Sequence, residues 1–191
     1  MIVIIAAALL LLMTPIWMHF ALSASGGTAA VATPELALRL SDRTVSELLF
    51  GPGAFSDYEA DEAAHMRDAR FVLYGFLALA IASIALLAWS LGRESRDPRT
   101  WSSVARGGAI LSAAMLVIGV LAAATFDAAF ELFHRIFFPG GNFEFPANSL
   151  LIMLYPYAFW QLTAGALGVL GIVGGLIVWF LARRRARSLA T

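Results

Sequence analysis

Two histidines share helical faces with carboxylates. Asp61, His65 and Asp68 fall at i, i+4 and i+7 within "EADEAAHMRDAR", and Asp127, Glu131 and His134 repeat that spacing within "FDAAFELFHRIFF". On an α-helix such positions lie along one stripe. A carboxylate bonded to one ring nitrogen of an imidazole fixes its tautomer and raises the basicity of the other nitrogen, as a general base requires. The expectation is therefore a catalytic pair, His65 and His134, with Asp61, Asp68, Asp127 and Glu131 in support. Histidines with acids can also hold zinc, but neither helix carries H-E-x-x-H or a comparable ligand pair, so no metal and no cofactor is expected. The same stripes also suit solvated helix ends, or a binding surface with no catalytic role. His19 has no comparable company, ends an apolar run, and reads as interfacial.

The elements that position these residues follow from composition. The chain has 191 residues, 60% hydrophobic and 14% charged. A soluble domain has about half and a quarter, respectively. The fold class expected is an all-α integral membrane protein. Four runs are long and apolar enough to cross a bilayer: 2–22, 71–91, 109–126 and 158–182. The first resembles a secretory signal in its "ALSASG" ending, yet no Lys or Arg precedes it and the apolar run is longer than a signal core, so a retained span is expected. Cysteine is absent, which excludes a disulfide, a thiolate nucleophile and a lipidated cysteine on this chain.

All thirteen basic residues are arginine. Arg93, Arg96, Arg99 and Arg106 fall in the loop 92–108, and Arg183, Arg184, Arg185 and Arg187 in the tail 183–191, so both should be cytoplasmic. Segment 23–70 carries eight acids against four arginines, and the stretch 127–156 carries three against one. Both are expected outside, within a single membrane domain covering 1–191.

Within the outer segments, "LALRL" alternates Leu36, Leu38 and Leu40, and "NFEF" alternates Phe143 and Phe145, so the two stretches could pair as a short β ribbon. Ser41 would open a short amphipathic helix, "SDRTVSELLF". Ser56 with Glu59 has capping-box spacing, predicting a helix from near Asp57 that runs through His65 into the second span. No stop is evident between the third span and "PGG" at Pro139, so one continuous helix should carry His134 outward. By helical rise, His65 and His134 each lie roughly 9 to 12 Å beyond the start of an apolar span. Both would reach the interfacial layer where glycerolipid ester bonds lie.

"EAAHMRDAR" before the second span and "FELFHRIFFPGGNFEFPANSLLIMLYPYAFW" after the third resemble the bacterial lipoprotein intramolecular transacylase family, four-span proteins of the cell membrane. The order of spans, outer helix and histidine motifs is similar across nearly the whole chain. One departure is Phe143, where a tryptophan is expected. The resemblance implies a bacterial cell-membrane enzyme that moves the sn-2 acyl chain of an S-diacylglyceryl cysteine to the α-amine of that cysteine, giving a lyso-form lipoprotein. It also implies catalytic roles for His65 and His134, with diacylglyceryl lipoproteins and membrane lipid as partners and no nucleic acid. An α-amine with a pKa of about 7.7 to 8.0 must shed a proton to attack, and a histidine can take it. His65 is then the candidate base and His134, oriented by Glu131 or Asp127, the group that stabilises the oxyanion or protonates the glycerol oxygen; the reverse assignment stays open. Asn142 and Asn148 could donate to an ester carbonyl, and Arg67 and Arg135 could meet a phosphate or carboxylate. A lipid hydrolase using the same histidines on water, and a non-catalytic assembly subunit, are the competing readings.

Overall fold

A computed structural model describes residues 1–190 and is all-helical over them. Eight helices run in the order α1 Ile2–Leu12, α2 Pro15–Ser25, α3 Pro34–Leu49, α4 Ala60–Glu94, α5 Pro98–Ala124, α6 Phe126–Phe137, α7 Leu150–Leu154 and α8 Tyr157–Ala190. Helices α4, α5 and α8 are each long and apolar enough to span a membrane; α1 and α2 form a bent pair that counts as a fourth span if taken together. Pro15, which lacks an amide hydrogen, opens α2 and causes the break in the first apolar run. Most large apolar side chains on α4, α5 and α8 are exposed, among them Leu79, Ile81, Val117 and Ile177, as side chains that face lipid would be. The chain is a multi-pass membrane protein.

The expected ribbon does not form. Thr33 accepts a hydrogen bond from the Leu36 amide and Pro34 occupies the first turn, so a capped helix starts there and absorbs Leu36, Leu38 and Leu40. Three leucines at period two in so leucine-rich a stretch also satisfy i, i+4, and the cap decides between the two periods. Ser41 is thus interior to α3 and buried, not its start. Phe143 and Phe145 lie in the connection between α6 and α7.

Two further boundaries move. The cap of α4 is Glu59 with Glu62, whose carboxylate accepts the Glu59 amide at 3.0 Å, so the helix begins three residues later than Ser56–Glu59 spacing predicts. The third span ends at Ala124, and Thr125, at φ −139°, separates it from α6, so His134 rides a distinct helix.

The chain divides into two compact units: 1–10 with 76–121 and 165–191, and 11–75 with 122–164. In the first, α5 and α8 touch backbone to backbone. A Cβ on Gly108 would lie 2.5 Å from the Gly175 carbonyl oxygen, and Ser112 donates to the Ile172 carbonyl at 2.9 Å. Small residues permit this approach where apolar burial drives nothing. An apolar groove of about 450 Å³ beside that seam is lined by Ala109, Leu116, Ile172 and Trp179 and contains no histidine.

The second unit holds the histidines. Its core comprises Met18, Leu22, Phe55, Met66, Leu154 and Phe159. Against it α3 turns a face of small and hydroxylated residues, Ala37, Ser41 and Thr44. Thr44 and the Tyr58 hydroxyl lie 2.7 Å apart, and Tyr155 donates to Ser41 at 3.3 Å. These phenols are held above their ordinary pKa, chiefly by burial.

Candidate active site

Helices α4 and α6 bring His65 and His134 together. Their rings stack with centroids 6.0 Å apart, and each residue is 8% exposed. Phe138 packs on both rings, at 4.5 Å from His65 and 5.5 Å from His134. Phe145 closes the His65 side at 5.5 Å, and Phe130 and Phe143 close the His134 side at 4.2 and 5.2 Å. The phenylalanines around these polar residues are therefore the walls of a low-dielectric box, in which charge is costly.

That environment sets the protonation state. His65 precedes the apolar run of α4, separated from it by Arg67, Asp68 and Arg70. Its pKa is pushed down to about 4, first by burial and second by His134, with Asp68 and the backbone of Asn142 opposing. His134 is lowered also, again by burial first, with the Phe130 backbone opposing. Both rings are neutral at pH 7, and the repulsion that depresses His65 disfavours charging them together.

The expected acids behave differently from one another. Asp68 accepts the Asn142 side-chain amide at 2.6 Å and belongs to the site. Asp127 instead accepts the Tyr157 hydroxyl, and Glu131 pairs with Arg135 at 2.6 Å one turn along the exposed side of α6. Neither orients His134, whose Nδ1 lies 2.8 Å from the Phe130 carbonyl. A carbonyl only accepts, so Nδ1 carries the proton and Nε2 of the neutral ring is a free lone pair. Asp61, Arg67 and Asn148 are exposed. His19, read as lacking company, meets Asp42 of α3 at 2.8 Å.

The connection from α6 to α7 completes the site. Pro139 and Gly140 turn the chain, with the Gly141 amide donating to the Phe138 carbonyl at 3.0 Å, and Gly141 at φ +74° turns it again. Asn142 is thereby aimed back at Asp68. Two buried atoms of this corner have no hydrogen-bond partner, His65 Nδ1 and Asn142 Oδ1. Among the described residues no group of three His, Asp or Glu side chains is placed to hold a metal ion.

Glu62 escaped the sequence reading. It is 2% exposed, and its second oxygen accepts the Leu151 amide at 2.8 Å, so α4 grips the start of α7 one turn before His65. A signal existed: an acid three residues before His65, on the apolar side of a helix whose other acids face water.

The chain is thus a polytopic membrane protein that holds a stacked histidine pair in an aromatic box. The family model described as Lipoprotein intramolecular transacylase Lit matches residues 34–160, and the chain belongs to that family. An uncharacterized protein of Aquifex aeolicus (strain VF5) is 31% identical over 147 residues, 74% of this chain. The alignment spans 64% of that relative's length. No solved structure matches.

Proposed function

We propose that this protein transfers the sn-2 acyl chain of an S-diacylglyceryl cysteine to the α-amine of the same residue, leaving a lyso-form lipoprotein. The observation that carries this reading is the neutral His65–His134 stack, 6.0 Å between centroids, walled by phenylalanine, in a member of the transacylase family. The free amine attacks the ester carbonyl carbon. As the C–N bond forms, the nitrogen becomes far more acidic than an ordinary ammonium, so even a weakly basic imidazole removes its proton. His65 takes that proton, and it passes to the glycerol oxygen, directly or by way of His134 Nε2, as the C–O bond breaks. Nitrogen loses one proton, glycerol oxygen gains one, and the enzyme ends unchanged. Amine and ester belong to one molecule, so proximity is built into the substrate.

Because the reaction is an isomerisation, the product of purified protein acting on a diacylglyceryl lipopeptide should have unchanged mass, a blocked α-amine, and one acyl chain that survives mild alkali. A free amine with a mass lower by one acyl chain would instead mark a hydrolase, and an unaltered lipopeptide a binding subunit. Either result overturns the proposal.

The reading also places the site on the extracytoplasmic face of the cell membrane, as the arginine distribution supports. The cysteine-free chain makes this testable with Glu144→Cys, between Phe143 and Phe145 in the connection after α6, and Ser95→Cys, in the arginine-rich loop; both positions are exposed. A membrane-impermeant maleimide should label the first in intact spheroplasts and the second only after lysis. The opposite pattern would refute this orientation.

A further inference from the structure

We infer that Asn142, held by Asp68, forms with His65 a subsite for a primary amine, in which the Asn142 side chain accepts an N–H bond instead of donating to an ester carbonyl. The inference rests on the transacylase reading for the identity of that amine, the α-amine of the substrate cysteine. Asp68, as a carboxylate, can only accept, so the Asn142 side-chain NH2 must face it, at 2.6 Å. Oδ1 therefore points the other way, and it is buried without a partner. The Asn142 NH2 is held by Asp68 through one of its two hydrogens, and the unpartnered atom of this residue is its oxygen.

The second orphan narrows the ligand. His65 Nδ1 is likewise buried and partnerless, and the Asn142 backbone lies against the His65 ring. With the proton of neutral His65 on Nε2, the two unpartnered buried atoms of the corner are both acceptors. A phosphate, a carboxylate or an ester offers no hydrogen to such a pair, and a hydroxyl or thiol offers one. A neutral primary amine offers two N–H groups and keeps a lone pair for attack. Buried acceptors left unpaired are costly, so a ligand that satisfies both is favoured over one that satisfies neither. Bound this way, the amine donates one N–H to Asn142 Oδ1 and the other to His65 Nδ1, the atom that removes its proton as the new bond forms. Asn142 is then a substrate-positioning residue, and Asp68 acts through it.

Binding without turnover tests this. The probes are an S-dialkylglyceryl cysteinyl peptide with ether-linked chains, which cannot transfer them, its counterpart lacking the α-amino group, and an N,N-dimethyl form. With affinities measured in detergent micelles at pH 9, the wild-type protein should bind the primary amine about tenfold more tightly than the other two, the worth of a well-made buried hydrogen bond. Asn142→Ala should lose most of that preference, keeping only what the bond to His65 Nδ1 contributes, while Asn148→Ala keeps it in full. An undiminished preference in Asn142→Ala overturns the inference. Equal affinity of the wild type for the primary and dimethylated amines also overturns it, whether or not the variant folds. Acyl transfer is scored separately on the ester substrate: transfer with no amine preference overturns this inference alone, and amine preference with hydrolytic products supports the subsite while overturning the transacylase reading.

Discussion

His65→Ala and His134→Ala should each lower turnover about a hundred-fold or more, the usual worth of a general acid or base, while folded protein remains in the membrane. His19→Ala should not, because His19 bonds Asp42 and stands outside the aromatic box. Near-normal turnover by either of the first two variants would sink the paired mechanism. The pH profile gives a second check on the same residues. Both imidazoles have pKa values depressed below 6.5, His65 to about 4, so each is already in its basic form at neutral pH. Any acid-side loss of activity between about pH 6.5 and 8 must then belong to the substrate amine, whose pKa is about 7.7 to 8.0. It should move with that pKa when a less basic amine is supplied. A limb that stays in place would assign it to an imidazole and contradict the effect of burial. The sign for stability is the same: from pH 6.5 down towards 4 the unfolded chain takes up protons that folded His65 refuses, so stability falls as pH falls across that window.

Counting helical rise from each apolar run gave the histidines a common height but not their stacking, and for His134 the count assumed one continuous helix where α5 and α6 are separate. Their partners were not legible. The spacing of Asp127, Glu131 and His134 is correct for one stripe, yet α6 turns His134 into the box while Glu131 finds Arg135 on the exposed side. The backbone carbonyl of Phe130, present in every helix and invisible to residue patterns, orients His134 instead. The Asn142–Asp68 bond joins residues 74 apart through two successive turns, and no local rule anticipates it. Leucine spacing misled at Leu36 to Leu40 because both periods fit, and only Thr33 with Pro34 discriminates. The break at Thr125 carries neither glycine nor proline, so the helix pattern reads through it.

Glu62→Ala should strongly destabilise the histidine-bearing unit. Its two oxygens accept two backbone amides, Leu151 at 2.8 Å and Glu59 at 3.0 Å, from a side chain almost wholly out of water. Truncation orphans the buried Leu151 N–H and unlatches α7, whose Leu151 and Leu154, with the adjoining Tyr155, are core residues. Hydrogen bonds to an ionised acceptor are worth about 1.5 to 3 kcal/mol each, so a loss of about 2 to 4 kcal/mol is expected after relaxation. Glu62→Gln should not rescue fully, because its NH2 must face one of the two amides, donor against donor. Unfolding followed in micelles by denaturant measures both variants, and a Glu62→Ala protein within about 0.5 kcal/mol of wild type, the range of ordinary surface substitutions, would refute the assignment. The functional consequence separates this residue from the histidines. Glu62 latches one end of the connection that bears Asn142, while Asn142 itself grips Asp68 of the same helix. Glu62→Ala should therefore lose activity by losing the folded site, and regain it on cooling below the variant's own unfolding midpoint. His65→Ala should remain inactive at every temperature at which it is folded.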